Sequence, residues 1–416
     1  MKKTIFGYLG AAAVAFVLQF APANVQAHGF FNNCDPCEPV ACNPCEQVCD
    51  PCDPNGCAPV RAGQWFLNGY MEAGFFANAH GSKSVYGMQD GIGDRGANAT
   101  SGNTSHLQNT RLTGAQINQV YLSMGKAVDG RRGLDIGGTV DFTWGSDAYL
   151  VQAAGMERGT GRMNDRWGTG DYFAAFSQAY VELAYDRWNV IIGKFHAPFG
   201  IDSYKSTENF FYSWSPVNLI NPIMGGGAYA TYKVNDRLIL IGGWVMPEEV
   251  GESSKNNAAL GGFILNPTRN LNVRYAFAAG VNQYATAPND IDYFVHSLTA
   301  TTQLGKRLRY VFDWSYNHSK IQNPAILNTD QYGLNNELIY QLNERWAFGT
   351  RFGMLHYDDN SEWCAVSLGA NWTPNKWLTV KPEVRYDWTD KPATPLFNGG
   401  ANTYQVSGGM SAVVKF

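Results

Sequence analysis

Hydrophobic and polar residues alternate one by one along the last stretch of the chain, residues 403–416. Tyr404, Val406, Met410, Val414 and Phe416 share one set of positions, whose other members, Gly408 and Ala412, are small. The positions between them are mostly polar or small. Because successive side chains leave a β-strand on opposite sides, this period of two predicts a strand with one apolar and one wet face.

The same alternation recurs along the chain and predicts about sixteen strands. The predicted strands are 64–77, 115–126, 134–144, 176–185, 188–196, 228–234, 238–246, 258–265, 271–281, 291–304, 307–316, 332–342, 346–357, 363–372, 377–388 and 403–416. Alternation is weak in 115–126 and 258–265, so the pattern fixes the strand count only to within two.

Short and long connections between the predicted strands follow each other in strict order, seven short and eight long. Several short turns place an aromatic residue or Leu directly after a charged turn, as at Trp188, Leu238, Trp346 and Trp377. Up-and-down order with short turns at one end is typical of a transmembrane antiparallel β-barrel with aromatic girdles. A soluble β-protein explains neither feature, so we predict that residues 64–416 form such a barrel.

Composition supports this fold class and removes two others. Only 16% of the 416 residues are charged and the formal net charge is −4, so nothing points to nucleic-acid binding. The mean hydropathy is −0.26, and no long apolar run follows the N-terminus, which excludes a protein with many membrane-spanning helices. Alternation averages the hydropathy of a barrel strand, so a barrel agrees with both values.

The first 27 residues have the pattern of a secretory signal peptide. Lys2 and Lys3 precede an apolar core, and Val25-Gln26-Ala27 supplies small residues at a cleavage site. A membrane anchor is the alternative, but the apolar run is short for a bilayer of ~30 Å. We therefore expect an exported chain that begins at His28.

Residues 28–63 form a segment rich in cysteine and proline. The prolines exclude a regular helix or central strand. In an exported protein disulfides are favoured, and the odd count leaves one thiol for another chain or for Cys364, which otherwise reads as a small apolar residue facing outward. A weaker alternative is a zinc site on Cys34, Cys37, Cys42 and Cys45. The seven cysteines are Cys34, Cys37, Cys42, Cys45, Cys49, Cys52 and Cys57.

A barrel of about sixteen strands is too wide for side chains to fill, and its inward positions read as polar, which predicts a water-filled lumen. The third long connection, 197–227, is rich in aromatic residues. It could fold into the lumen as a constriction or form an extracellular loop with its own small core, and the sequence does not decide between them. The candidate constriction residues are Asp202, Tyr204, Lys205 and Glu208.

Inward strand positions carry charges of both signs, which predicts weak ion selectivity, although each is expected to be an ordinary solvated charge of the lumen. The candidate pore-lining residues are Glu182, Lys194, Arg274, Arg309, Arg351, Glu383 and Arg385. No cofactor is expected.

Two short motifs carry a resemblance to a known family. The segment 192–200, I-G-K-F-H-A-P-F-G, followed by a loop rich in Tyr and Phe, resembles β-barrel porins of the OmpL-like group, as does the preceding Q-A-Y-V-E at 178–182. The resemblance implies a sixteen-stranded outer-membrane channel over most of residues 64–416. The Cys/Pro-rich start is not part of that pattern and resembles the starts of exported proteins from planctomycete-like bacteria.

The expected function is an outer-membrane porin for passive diffusion of small hydrophilic solutes or ions, and not an enzyme. We expect an integral outer-membrane protein with residues 28–63 in the periplasm, lipid around the barrel, a homotrimer by analogy, and intermolecular disulfides through the N-terminal cysteines. One alternative is a structural envelope protein that is anchored by the barrel and cross-linked through its cysteines. A less favoured alternative is an outer-membrane hydrolase, for which no His spacing provides evidence.

Overall fold

The barrel predicted from the alternation is present in the structure, a computed structural model. It describes residues 63–78, 114–153, 155–157, 167–169, 172–247, 256–282, 291–321, 329–357, 361–391 and 402–416. The strands are β1 (Trp65–Asn78), β2 (Gly114–Lys126), β3 (Asp135–Gly145), β4 (Gly168–Thr169), β5 (Tyr172–Tyr185), β6 (Trp188–His196), β7 (Met224–Asn235), β8 (Leu238–Pro247), β9 (Asn257–Thr268), β10 (Leu271–Asn282), β11 (Ile291–Leu304), β12 (Leu308–Ile321), β13 (Thr329–Gln341), β14 (Trp346–His356), β15 (Glu362–Asn375), β16 (Leu378–Thr389) and β17 (Tyr404–Lys415).

Sixteen of these strands form one closed antiparallel sheet. Each pairs with its neighbours in the chain, β3 pairs directly with β5, and β17 pairs back on β1. At the seam the amide of Gly69 donates to the carbonyl of Phe416 at 3.0 Å, and the amide of Phe416 donates to Gly69 at 2.9 Å. The two-residue strand β4 lies outside this ring and pairs only with the start of β5. The predicted count of sixteen is therefore confirmed.

The two faces of the barrel strands differ as the alternation predicts. On β3, Ile136, Val140 and Trp144 lie on the exposed outer face, whereas Asp141 and Thr143 are buried on the inner face. The barrel strands are 9–14 residues long, which matches the length that a tilted strand needs to cross a bilayer. An apolar exposed exterior on strands of this length is suited to lipid.

The weak alternation predicted in 115–126 has a local cause. The register between β1 and β2 pairs Glu72 with Gln119 but Ala73 with Ile117, so Asn118 is an extra residue in the ladder. Such a bulge places two consecutive side chains on the same side of the strand and interrupts the period of two. The strand is regular on either side of it.

The short turns are closed by their own side chains. Asn343 Oδ1 accepts hydrogen bonds from the backbone amides of Arg345 and Trp346 at 2.9 and 3.0 Å. In another short turn, Asn235 Oδ1 accepts from the amides of Arg237 and Leu238. Asp186, in a third turn, has a positive φ of 51°. Asn and Asp tolerate these conformations better than other side chains. The turns therefore hold adjacent strands in fixed register.

Among the described residues, no helix is long and apolar enough to cross a membrane. The predicted signal peptide and the seven N-terminal cysteines lie outside the described residues. Cys364 lies on the outward face of β15 between Met354 and Trp388 of the neighbouring strands. Cys364 is buried although it faces outward.

Candidate pore constriction

The third long connection, residues 197–223, lies inside the barrel; it is called the inner loop below. Its neck is closed by a hydrogen bond from the amide of Ala197 to the carbonyl of Ile223, 3.0 Å. Beyond the neck its backbone bonds to inward side chains of the wall. The amide of Gly200 donates to Ser297 Oγ at 3.1 Å and that of Ile201 to Asp313 Oδ2 at 2.9 Å. The sequence left two placements open, and the structure selects the lumen.

Wall glycines give the inner loop room to approach the sheet. A Cβ placed on Gly349 would collide with the ring of Phe210, and one on Gly369 would lie 2.9 Å from the ring of Phe211. Both rings are buried. Any residue other than glycine at position 349 or 369 would therefore displace the ring of Phe210 or Phe211. The aromatic residues of the loop, which the sequence singled out, therefore pack on the inner wall itself.

A buried ionic cluster holds the far side of the loop at Ser213. The amide and hydroxyl of Ser213 donate to Glu383 at 2.8 and 2.7 Å. The guanidinium of Arg351 donates to the Ser213 carbonyl at 2.6 Å and lies 3.1 Å from Glu383. Arg385 donates to the Ser213 hydroxyl at 3.0 Å and to the Trp214 carbonyl at 2.6 Å. We call Ser213, Arg351, Glu383 and Arg385 the Ser213 cluster.

The Ser213 cluster corrects one expectation. Arg351, Glu383 and Arg385 were predicted to be solvated charges that line open water. The side chains of Arg351 and Glu383 are each 1% exposed and that of Arg385 is 0% exposed. They face inward as predicted, but the inner loop covers them and uses their charges for its attachment. Buried charges persist only when they are paired and hydrogen-bonded, which is the case here.

Lys194 is a second correction. Its ammonium lies 2.8 Å from Glu157 in the second long connection, and both side chains are buried. Glu157 also accepts from the backbone amides of Ala153 and Phe176 at 2.9 Å. Lys194 therefore fixes a loop to the barrel and does not line open water. Glu157 has no distinguishing pattern in the sequence, and only the fold brings it to β6.

Three of the four candidate constriction residues, Tyr204, Lys205 and Glu208, lie together on the inner loop, against β1–β3. The hydroxyl of Tyr204 donates to Thr143 Oγ1 at 3.2 Å, and Gln119 donates to the Tyr204 carbonyl at 2.9 Å. Tyr204 is buried, whereas the side chain of Lys205 is 25% exposed and Glu208 is exposed. Tyr204 thus fixes the arm to the wall, and its two charged neighbours reach solvent.

Lys205 is held in its charged form by acids. Its ammonium lies 3.4 Å from Asp141, which also accepts from Tyr121 and Ser123. Burial lowers the pKa of Lys205, but Asp141 and Glu208 outweigh burial and raise the pKa above its ordinary value. The arm therefore carries a permanent positive charge beside an exposed carboxylate at neutral pH.

Asp202, the fourth candidate, precedes them on the outgoing arm and shapes the loop. Its carboxylate accepts from the amide and hydroxyl of Ser215 at 2.8 and 2.6 Å and remains half-buried. Asp202 thus bridges the outgoing and returning arms of the loop. The structure brings Tyr204, Lys205 and Glu208 together and places Asp202 nearer to β12.

Three predicted wall residues keep partial access to solvent: Glu182, Arg274 and Arg309. Glu182 accepts from Asn189 at 2.5 Å. Arg274 donates to the carbonyl of Gly200 and so also supports the neck of the inner loop. These three side chains remain candidates for a charged lumen surface.

The prediction of a uniformly polar inner face is wrong for part of the barrel. Strands β6–β9 present buried aliphatic and aromatic side chains inward, opposite the exposed Leu240 and Trp244 of β8. We call these residues the apolar wall. They are Ile191, Tyr229, Ile239, Ile241, Val245, Leu260 and Ile264.

A second region of the inner face carries most of the buried polar side chains, and we call it the polar wall. It spans β11–β17 and β1–β3 and holds buried hydroxyl, amide and charged side chains such as Ser297, Asn335, Gln405 and Gln119. The hydrogen bonds that attach Tyr204, Ser213 and Trp214 of the inner loop to barrel strands all fall on this region. The described residues contain no group of three or more His, Cys, Asp or Glu side chains that could hold a metal ion.

Residues 68–416 match the family model described as "Putative beta-barrel porin-2, OmpL-like". The chain belongs to the OmpL-like family of β-barrel porins. It is therefore an integral outer-membrane channel protein, and the family to which it belongs consists of porins and not of enzymes. A search of curated protein sequences found no match.

Solved structures similar to this porin share its fold at low sequence identity. The anion-selective porin from Comamonas acidovorans has a TM-score of 0.57 at 11% identity, over 85% of this chain and 99% of that one. The outer-membrane channel DcaP of Acinetobacter baumannii has a TM-score of 0.56 at 11% identity, with coverages of 85% and 98%. OmpT of Vibrio cholerae, in a trimer form, gives 0.52 at 11% identity, over 85% and 100%. These similarities describe the fold alone.

Proposed function

We propose that this porin carries small hydrophilic solutes by passive diffusion and that the inner loop narrows its path. The observation that supports the proposal is the position of the inner loop, which lies within the barrel and is attached to it by the Ser213 cluster and by Tyr204. A fixed loop reduces the open cross-section without closing and opening in each transport event. Passage then needs no covalent step, since size and charge at the narrowing decide which solutes pass.

Lys205 and Glu208 are the charges that we assign to the narrowing. They lie near each other on the same arm, both reach solvent, and their charges are opposite. Charges in a constricted site act more strongly than in open water because low-dielectric walls focus their field. Opposite charges at one place predict weak overall ion selectivity. Removal of the charge of Lys205 or of Glu208 would shift that selectivity. Glu182, Arg274 and Arg309 supply further charge along the wall.

The test is ion current through the purified protein in planar bilayers under a salt gradient. Lys205→Met removes the positive charge and should shift the reversal potential toward cation preference. Glu208→Gln should shift it toward anion preference, and the double variant should lie near the wild type. Unchanged reversal potentials in both single variants would leave a channel but reject this narrowing. Absence of current from a folded barrel would reject the channel.

The end of the barrel at which β1 begins indicates on which side of the membrane the preceding residues lie. The amide of Gly63 donates to the carbonyl of Ala127 at 2.8 Å, beside the first short turn. Short turns of outer-membrane barrels face the periplasm. We therefore propose that residues 28–63 lie in the periplasm. From the sequence pattern we also propose that residues 1–27 are removed and that the N-terminal cysteines form disulfides. Labelling of free thiols in intact and in permeabilised cells, before and after reduction, tests the periplasmic location and the disulfides.

A homotrimer is proposed by analogy, because many barrels of this size are trimeric. Molar mass from light scattering in detergent, corrected for bound detergent, distinguishes three copies from one. A purely monomeric species over a wide range of protein concentration would contradict the proposal.

A further inference from the structure

The short-turn end of the barrel carries a ring of basic residues. Every one of the seven short turns contains Lys or Arg, and together the turns hold nine basic residues against four acidic ones. All nine are exposed. We call them the basic ring. They are Arg131, Arg132, Arg187, Arg237, Arg269, Lys306, Arg307, Arg345 and Lys376.

The four acidic turn residues offset this charge only in part. Asp129 is 2.8 Å from the guanidinium of Arg131, and Asp236 is 2.9 Å from Lys233 on β7. Asp186 and Glu344 are the other two. The nine basic and four acidic residues leave an excess of five positive charges, which lies on four of the seven turns, those of Arg131 and Arg132, Arg269, Lys306 and Arg307, and Lys376. Such a surface attracts an anionic partner over about one Debye length, ~8 Å at physiological salt.

An acidic stretch of the same chain is tethered to this mouth. Residues 28–62 contain five acidic residues, Asp35, Glu38, Glu46, Asp50 and Asp53, and only Arg61 as a basic one. The stretch joins the barrel at Gly63, whose amide bonds to Ala127, two residues before Asp129 of the first short turn. Its charge is opposite to that of the ring and is distributed along its length.

The tether is long enough to reach every turn. Thirty-five extended residues span up to about 115 Å, which exceeds the width of a sixteen-stranded barrel. A single surface ion pair contributes little, about 0–1 kcal/mol. Several pairs formed by a tethered segment add up, because the tether gives an effective concentration on the order of millimolar.

From this complementarity we propose that residues 28–62 dock on the basic ring. The occupant is the chain's own acidic segment, and the recognition is between its carboxylates and the Lys and Arg side chains of the short turns. This binding surface does not depend on whether the barrel conducts, so failure of the channel proposal would leave it intact.

The experiment is zero-length carbodiimide cross-linking of the full mature chain in detergent, followed by peptide mass spectrometry. Carbodiimide joins a carboxylate to an amine only when the two are in contact, and the ring offers Lys306 and Lys376. At low salt we expect intramolecular links from the five acidic residues to these two lysines. At about 1 M salt, where the Debye length falls to about 3 Å, their yield should decrease at least fivefold.

Matched variants of the turns test the sign of the effect. Arg237→Glu together with Arg269→Glu leaves both lysines available and should reduce the links at least fivefold. Asp186→Asn together with Glu344→Gln makes the ring more positive and should increase them. Asn tolerates the positive φ at residue 186. All four positions are exposed turn residues, and the heat-dependent gel shift of the folded barrel confirms that each variant folds.

Three outcomes would overturn the proposal. A folded chain without links to Lys306 or Lys376 shows that the segment does not dock there. Links that persist at high salt and are insensitive to both variants show that contact is not electrostatic. Links that join two chains and vanish on dilution assign the ring to a second copy instead.

Discussion

The two regions of the inner face, the polar wall and the apolar wall, have opposite relations to the inner loop. The polar wall supplies Glu383, Arg351 and Arg385, which bind the loop at Ser213. The apolar wall meets the loop chiefly through Phe199 near its neck. Inward polarity in this barrel is thus not equivalent to a surface that lines water. A large part of it is bonded to protein.

The difference between the two walls in how they hold the inner loop is tested most strongly at Glu383. Glu383→Ala removes one partner of a buried ion pair and leaves Arg351 uncompensated, which typically costs about 3–5 kcal/mol. We expect that loss in urea unfolding, together with a larger single-channel conductance because the loop is released. Glu383→Gln keeps a hydrogen-bond acceptor for Ser213 and separates charge from shape. Wild-type conductance and unfolding in Glu383→Ala would show that the cluster does not hold the loop.

A substitution in the apolar wall should lower stability without releasing the loop. Ile241 is 7% exposed, and Ile→Ala in a packed interior costs about 2–5 kcal/mol. We expect Ile241→Ala to shift the urea midpoint and to leave the ion selectivity unchanged. Leu240→Ala, one residue away on the outward face, is the control and should shift the midpoint less. A changed selectivity in Ile241→Ala would connect the apolar wall to the narrowing.

The close approach between sheet and loop predicts a smaller effect at Gly349. A methyl group there collides with Phe210, and overpacking of this kind costs about 1–3 kcal/mol. Gly349→Ala should therefore be destabilising, and a second change, Phe210→Leu, should recover part of the loss. Gly242→Ala is the matched control, because a Cβ at that position meets no atom within 4 Å. Equal stability of the two alanine variants would contradict the packing described here.

The smallest effect concerns pH and the second long connection. Asp147 is buried there and accepts from Asn118 and Gln119 at 3.3 and 3.2 Å. Burial raises its pKa well above the ordinary value, and nearby Glu72 raises it further. A raised folded pKa means that Asp147 favours folding most at low pH, below its unfolded pKa. This contribution is lost as pH rises through the folded pKa.

Asp147→Asn imitates the protonated acid and should flatten the pH dependence of unfolding. The variant should match the wild type at pH 4 and exceed it in stability at pH 8. Urea midpoints across this range are the measurement. A variant that is less stable than the wild type at pH 8 would show that the charged form is favoured in the folded protein.

Local patterns in the sequence were sufficient to predict the barrel but not the contacts in its interior. Strand alternation and turn residues such as Asn343 act between neighbours in the chain, so the strand count and the order of connections could be predicted. The Ser213 cluster joins residues that are 138–172 positions apart. No short pattern records such a contact. Aromatic content in 197–227 indicated a packed loop, but the surface that it packs on depended on the closed fold.

The apolar wall could not be predicted for a different reason. Residues 238–246 read L-I-L-I-G-G-W-V-M, and both faces of this strand are apolar. Alternation then fails to distinguish the lipid side from the lumen side. Lys194 was misassigned because inward charge was equated with solvent contact, whereas Glu157 from a distant loop neutralises it.

The seam between β1 and β17 has a consequence for assembly. The inner loop crosses this seam at Ser206. The carbonyl of Ser206 accepts a hydrogen bond from the ammonium of Lys381 on β16, and its amide donates to the hydroxyl of Tyr70 on β1. Strands β1 and β16, which lie on either side of β17 in the closed ring, are thus bridged from within by a segment synthesised between them. We expect the loop to be in place before the ring shuts, since its buried aromatic residues would otherwise have to enter a closed cylinder. A misplaced loop should then interfere with ring closure.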